Sequence, residues 1–165
     1  MGTFDVHRTA RIAIVSAIYI ALTLISAPFS YGQIQFRISE ALVLLCFYNK
    51  DYILSMTLGC FIANLFSPLG LIDAGFGTAA TFIAVVFIYL LRNKLNLYFI
   101  SLFPVVVNAI IVAIELKMIY DMPVLVSMGW VALGEFICVS VLGVIQFKAL
   151  SKSNQFMKLI AANSD

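Results

Sequence analysis

Residues 124–147 read VLVSMGWVALGEFICVSVLGVIQF, twenty-four positions with one charge, Glu135, and no proline. A helix that crosses a bilayer needs about 20 apolar residues at about 1.5 Å each, so this stretch is long enough to span. The whole chain matches it in character. Of 165 residues 63% are hydrophobic and 11% charged, with a mean hydropathy of +1.07, whereas soluble domains carry about a quarter charged residues. Ten basic and eight acidic side chains cannot coat a water-soluble globule, and the fold expected is an all-α integral membrane domain.

Working outward from 124–147, charges and turn formers divide the chain into six apolar helices, at about 10–27, 39–48, 52–67, 76–91, 97–116 and 124–147. The first stops at Pro28, the second at Asn49-Lys50-Asp51, the third at Pro68 and the fourth at Arg92-Asn93-Lys94. The second is only about ten residues long, too short to cross upright. Residues 69–75, with Asp73, read as a turn, and 151–165 as a polar, solvated helix end. Arg8 and Arg11 ahead of an apolar run resemble a signal peptide, but five further apolar segments make the first a permanent helix. No repeat or linker divides the chain, so residues 1–165 form one domain.

With both termini inside and six crossings, the inner side holds Arg8, Arg11, Lys50, Arg92, Lys94, Lys148, Lys152 and Lys158, leaving only Arg37 and Lys117 outside. The positive-inside rule therefore favours an N-in, C-in bundle. Counting the short second segment as a crossing is what keeps Lys50 inside.

The remaining charges carry information about function. A net charge of +2 supplies no basic face for nucleic acid. Cys46, Cys60 and Cys138 lie in apolar runs and are odd in number, which fits small buried residues rather than a disulfide frame. The only histidine, His7, is in the polar N-terminus, and no GxxxxGK[ST] phosphate loop is present. Neither a catalytic constellation nor a metal or cofactor site is expected. By contrast Glu40, Asp73, Glu115, Asp121 and Glu135 fall on the outer side or inside the membrane. An ionisable group there costs at least about 2.5 kcal/mol near the centre and so faces a cavity or a partner.

Glu135 lies about 17 Å into its helix at the helical rise. Asn108 is near the middle of the fifth helix, and Glu115, seven residues on, shares its face. These three line one outward-opening cavity, or else join helices to one another as polar groups in lipid do. Arg37 and Glu40, flanked by Phe36 and Ile38, either pair at i,i+3 or belong to an outer rim. In the second case residues 28–38, with Tyr31, Gln33, Gln35 and Phe36, form a lid. Asn64, Asp73 and Gly75-Phe76-Gly77-Thr78 at the start of the fourth helix converge on the same side, and Trp130 adds a stacking surface. Lys117 and Asp121 read as loop charges in water. Ala13, Ala17 and Ala21 align small side chains along one face of the first helix, which suits close approach of another helix, within this bundle or in a partner.

Three blocks resemble one family: QFRISEAL at 35–42, NLFSPLG at 64–70 and DAGFGTAAT at 73–81, together with the alanine repeat. They are similar to QueT proteins, substrate-binding S components of energy-coupling factor (ECF) transporters assigned to queuosine precursors. The resemblance implies a six-helix S-component fold in a prokaryotic plasma membrane, without an ATPase of its own. It implies capture of a 7-deazaguanine from outside, beneath a gating loop at 28–38. It also implies docking through Ala13, Ala17 and Ala21 onto a module of one transmembrane scaffold subunit and two ATPase subunits. The alanine repeat is general to S components and does not choose the substrate. The residues themselves place substrate at Phe36, Arg37, Glu40, Asn64, Asp73, Asn108, Glu115, Trp130 and Glu135. Excess carboxylates suit the N–H edge and aminomethyl cation of a 7-deazaguanine, and suit thiamine or another cationic heterocycle nearly as well. A membrane scaffold subunit that uses its polar residues for assembly stands as the reading from outside transport.

Overall fold

The structure is a computed structural model that describes residues 6–31 and 34–161. Helix α1 (Val6–Ile25) gives way to a short turn of helix, Ala27–Ser30, and an extended connection. A 3₁₀ helix, Ile38–Phe47, follows, then α2 (Asp51–Leu65) and α3 (Leu71–Leu91). Helix α4 (Leu97–Tyr120) and helix α5 (Val124–Leu150) complete the apolar set, and a terminal helix α6 (Asn154–Ala161) closes the chain. By length and composition α1, α3, α4 and α5 qualify to cross a membrane, while the 3₁₀ helix and α2 are apolar but shorter.

The 3₁₀ helix runs through the centre. Val43, Leu44 and Cys46 have no exposed surface and pack in one core with Tyr19, Met56, Ile88, Ile100, Val139 and Val144. Runs of 3₁₀ helix beyond a few residues are uncommon. Here burial on nearly every side replaces the usual preference, and a rise of about 2.0 Å carries ten residues about 20 Å, against about 15 Å as an α-helix. Gly143 lets this rod approach α5, since a Cβ there would lie 3.3 Å from Ala41 Cα. Helix α5 answers with a π-helical stretch, Phe136–Gly143, beginning directly after Glu135.

Local chemistry sets the breaks. Asn49 Oδ1 accepts from Asp51 N at 2.9 Å, turning the chain before α2. Asn96 Oδ1 accepts from Phe99 N at 3.1 Å and caps the start of α4. Pro104 lacks the N–H that would bond Ile100, and α4 is interrupted at Ser101 accordingly.

Several boundaries differ from the sequence reading. Helix α3 starts at Leu71, so residues 71–75 are helical and Gly75-Phe76-Gly77-Thr78 lies about a turn inside. The cause is Ser67, whose Oγ accepts from Leu69 N and Gly70 N at 3.2 and 3.1 Å, with Gly70 at φ +55° completing the turn. Helix α4 continues to Tyr120, where Asp121 ends it at φ +54°. The 151–161 region is not simply a solvated end. Ile160 is buried and Phe156 lies 6.4 Å from the Phe147 ring.

The ends of the bundle separate in character. At one end Asp51 takes Arg8 and Arg11, each at 2.7 Å. There too Arg92 Nη1 donates to Tyr48 O at 3.5 Å and Lys148 Nζ lies 3.7 Å from the Tyr98 ring centre. The other end is formed by the connection after α1, by residues 66–70 and by 121–123. Between them Ile14, Leu54, Phe82, Phe87, Val106 and Ile110 face outward, while serines, threonines and carboxylates are enclosed. That inverts the soluble arrangement.

Candidate binding site

The connection after α1 dips into the bundle. Gly134 lies ten residues along α5 from Val124, about 15 Å at the helical rise, and the backbone of Ile34 and Gln35 rests against it. A Cβ at Gly134 would fall 2.0 Å from Ile34 O and 3.1 Å from Gln35 O. Gln35 holds φ +48° to make this approach, a left-handed conformation that non-glycine residues rarely adopt. Phe36 N donates back to Phe29 O at 3.0 Å and secures the loop.

This path delivers Arg37 into the bundle, where it is 5% exposed. Its Nη1 is 4.0 Å from Glu40 Oε1, and its guanidinium carbon lies 5.7 Å from the Tyr31 ring centre. Glu40, Asp73, Glu115 and Glu135 all lie within electrostatic reach of it. Tyr31 Oη donates to Ala63 O at 2.5 Å, and burial raises its pKa, so the phenol stays neutral.

The carboxylates are only half satisfied. Tyr19 Oη donates to Glu40 Oε1, and Asn108 Nδ2 donates to Glu135 Oε1 at 2.9 Å. The second oxygens of Glu40 and Glu135, both oxygens of Glu115, Asn64 Oδ1, Arg37 Nε and the hydroxyls of Thr78 and Ser127 are buried without a hydrogen-bond partner. Asn64 Nδ2 meanwhile donates to Asp73 O at 3.2 Å, tying α2 to α3. Such orphaned groups are rare in folded proteins and call for an explanation. A cavity of about 480 Å³ opens among Tyr31, Gln35, Pro68, Asp73, Leu116 and Tyr120, and of the candidate site residues only Asp73 lines it; its volume is within the range of small-molecule sites.

Arg37, Glu40, Asp73, Glu115 and Glu135 are thus gathered from the loop, the 3₁₀ helix and three α-helices, and Asn108 and Asn64 are bonded into the group. Phe36 is half-buried at its edge. Trp130 is 43% exposed on α5 and stands apart from the buried group, because its position turns it from the face that carries Ser127, Val131 and Glu135. Asp73 is in the first turn of α3 rather than in a loop. Lys117 and Asp121 pair with each other at 2.5 Å on the surface. Gln33 lies outside the described residues. Ala13, Ala17 and Ala21 are all exposed along α1.

Tyr19 and Gly134 escaped the sequence reading. The available signal for Tyr19 was the polar spacing Ser16, Tyr19, Thr23 within an apolar helix, one face at i, i+3, i+7. For Gly134 there was only a glycine beside the buried acid.

Fold and charge placement define a multi-pass helical membrane protein that buries Arg37, Glu40, Asp73, Glu115 and Glu135 inside the bundle. The profile of the family described as QueT transporter matches residues 9–152. A relative, the queuosine precursor transporter QueT of Lactococcus lactis subsp. cremoris (strain MG1363), is 35% identical over 147 residues, which cover 81% of this chain and 85% of that protein. No solved structure matches the chain. The chain belongs to the QueT transporter family, and membership makes it a substrate-specific transport protein.

Proposed function

We propose that this protein is the substrate-binding S component of an ECF-type importer, capturing a queuosine precursor such as preQ1, preQ0 or queuine from outside the cell. The observation that carries the substrate is the inventory of unpartnered buried atoms. In the group around Arg37, five acceptor oxygens, on Glu40, Asn64, Glu115 and Glu135, stand against one obligate donor, Arg37 Nε. A 7-deazaguanine brings N–H donors along its guanine-like edge, and an aminomethyl group adds a cation. Both satisfy carboxylates, with charge-assisted hydrogen bonds that exceed neutral ones. Phe36, Arg37, Glu40, Asn64, Asp73, Asn108, Glu115 and Glu135 form the site, and Gln35 and its neighbours close over it.

In this reading the chain crosses a prokaryotic plasma membrane six times with both termini inside. Collection of Arg8, Arg11, Arg92 and Lys148 at one end of the bundle supports that orientation. The 3₁₀ rise supports the short second crossing. The exposed alanines of α1 would receive the transmembrane scaffold subunit, and two ATPase subunits of the module would supply the energy. The purified protein titrated calorimetrically with 7-aminomethyl-7-deazaguanine tests the site. Glu40→Gln and Glu135→Gln are expected to weaken binding while the protein remains folded. Normal binding by both variants would overturn the site assignment, and thiamine binding in place of the deazaguanine would overturn the substrate.

A further inference from the structure

Helix α1 has two faces of opposite character. Ala13, Ala17 and Ala21 are exposed on one, and Ser16, Tyr19 and Thr23 are buried on the other. Each buried side chain bonds to a neighbouring element. Ser16 Oγ donates to Ser55 O at 2.9 Å, Tyr19 Oη donates to Glu40 Oε1, and Thr23 Oγ1 lies 2.6 Å from Ser39 Oγ. Two of the three bonds therefore end on adjacent residues of the 3₁₀ helix, at the residue pair that enters the binding site.

Glu40 is divided between two tasks. Its Oε1 takes the Tyr19 hydroxyl and faces Arg37, the Thr81 hydroxyl also stands beside the carboxylate, and Oε2 is buried with no hydrogen bond of ordinary geometry. A carboxylate fastened at one oxygen cannot spin about its terminal bond, so its other oxygen has a defined direction. Resting on the substrate reading above, we propose that Tyr19 is a positioning residue. It fastens Glu40 so that Oε2 is presented to the ligand, and it thereby makes ligand affinity sensitive to the placement of α1. The helix that carries the alanine face is then joined to the ligand by one hydroxyl.

Gly59 of α2 provides a way to move α1, and the Tyr19 ring it carries, without changing Tyr19 or Glu40. A Cβ there would lie 3.1 Å from Tyr19 Cβ and 3.2 Å from Ser16 O, so α1 must give by a few tenths of an ångström. The test is a calorimetric titration of the full-length protein with 7-aminomethyl-7-deazaguanine, for the parent, Tyr19→Phe, Glu40→Gln, Gly59→Ala and the paired variants. Phenylalanine keeps the ring that fills the core. Tyr19→Phe is expected to weaken binding about tenfold, the worth of one hydrogen bond to a charged group, and to combine less than additively with Glu40→Gln. Gly59→Ala should weaken binding about threefold in the parent, a fraction of that bond, and leave the Tyr19→Phe background unchanged. Unaltered affinity in Tyr19→Phe, or strict additivity with Glu40→Gln, overturns the positioning role and leaves the substrate reading intact. A second readout needs no ligand: the Glu40 carboxylate band in the infrared spectrum, assigned by its loss in Glu40→Gln, should shift in Tyr19→Phe. A parent that binds no 7-deazaguanine while this band still shifts overturns the substrate reading and keeps the Tyr19–Glu40 link.

Discussion

Gly134→Ala adds one methyl group at the point where the loop after α1 rests on α5. The new Cβ would fall 2.0 Å from Ile34 O, and since contacts under 3.0 Å are essentially never seen at a Cβ, something must move by about 1 Å. Helix α5 has little room to yield, because Val131, Glu135 and Cys138 on the same face are buried. The loop will therefore lift. Gln35 is already at φ +48°, a conformation that costs about 1–2 kcal/mol for a residue with a Cβ, so the lowered loop depends on its packing. Once raised, it withdraws Arg37 from the carboxylates. Loss of one charge-assisted hydrogen bond to the ligand is worth about 1.5–3 kcal/mol, or about 10- to 150-fold in Kd, expressed mainly as faster dissociation. Overpacking adds about 1–3 kcal/mol of lost stability. Calorimetry and stopped-flow dissociation of 7-aminomethyl-7-deazaguanine measure the first effect and thermal unfolding in detergent the second. Gly75→Ala and Gly129→Ala, where a Cβ meets nothing within 4 Å, are the controls. Affinity within about twofold of the parent for Gly134→Ala, at an unchanged dissociation rate, would refute the idea that the closed loop holds the site.

Removing the amide that satisfies Glu135, as Asn108→Ala, leaves a buried carboxylate with neither oxygen bonded. Stability should fall by about 1–3 kcal/mol, with a lower melting temperature even without ligand; an unchanged one would show that Glu135 finds another donor. Asp51→Ala strips Arg8 and Arg11 of their shared carboxylate. The pair with Arg8 is half-exposed and screened while that with Arg11 is mostly buried, so the loss should be roughly 2 kcal/mol. Insensitivity of the melting temperature to the substitution would remove the clamp from the account. Ala17→Trp should abolish ATP-driven uptake by an assembled complex while binding by the isolated protein stays normal. Unimpaired uptake would refute docking through α1.

Helix positions were largely legible because most turns announce themselves chemically. Asn49-Lys50-Asp51, Pro68 and Arg92-Asn93-Lys94 interrupt apolar runs, and the structure turns at each of these places, whereas α1 already ends at Ile25 and Pro28 falls inside the short helix Ala27–Ser30. The start of α3 was misread because Gly75 and Gly77 suggested a break. Gly75 is exposed within the helix, and Gly77 is glycine because a Cβ would meet Asn64 Nδ2 at 2.4 Å. That is a contact with another helix and has no trace in the local sequence. The 3₁₀ form of residues 38–47 was equally hidden, since a segment apolar on nearly every side shows no difference between periods of 3.0 and 3.6 over ten positions.

The sequence by itself determined the solvent and the supply of polar groups. Eighteen charges among 165 residues require lipid around the chain, and acids inside apolar helices require partners, because both follow from transfer energies that depend on composition alone. Only the tertiary structure decided which partner each acid receives. Tyr19 meets Glu40 across 21 residues of chain and Asn108 meets Glu135 across 27. Glu115 and one oxygen each of Glu40 and Glu135 are left open. A hydrogen bond acts over about 3 Å, so its pairing depends on how helices pack against each other and cannot be read from the order of residues along one of them.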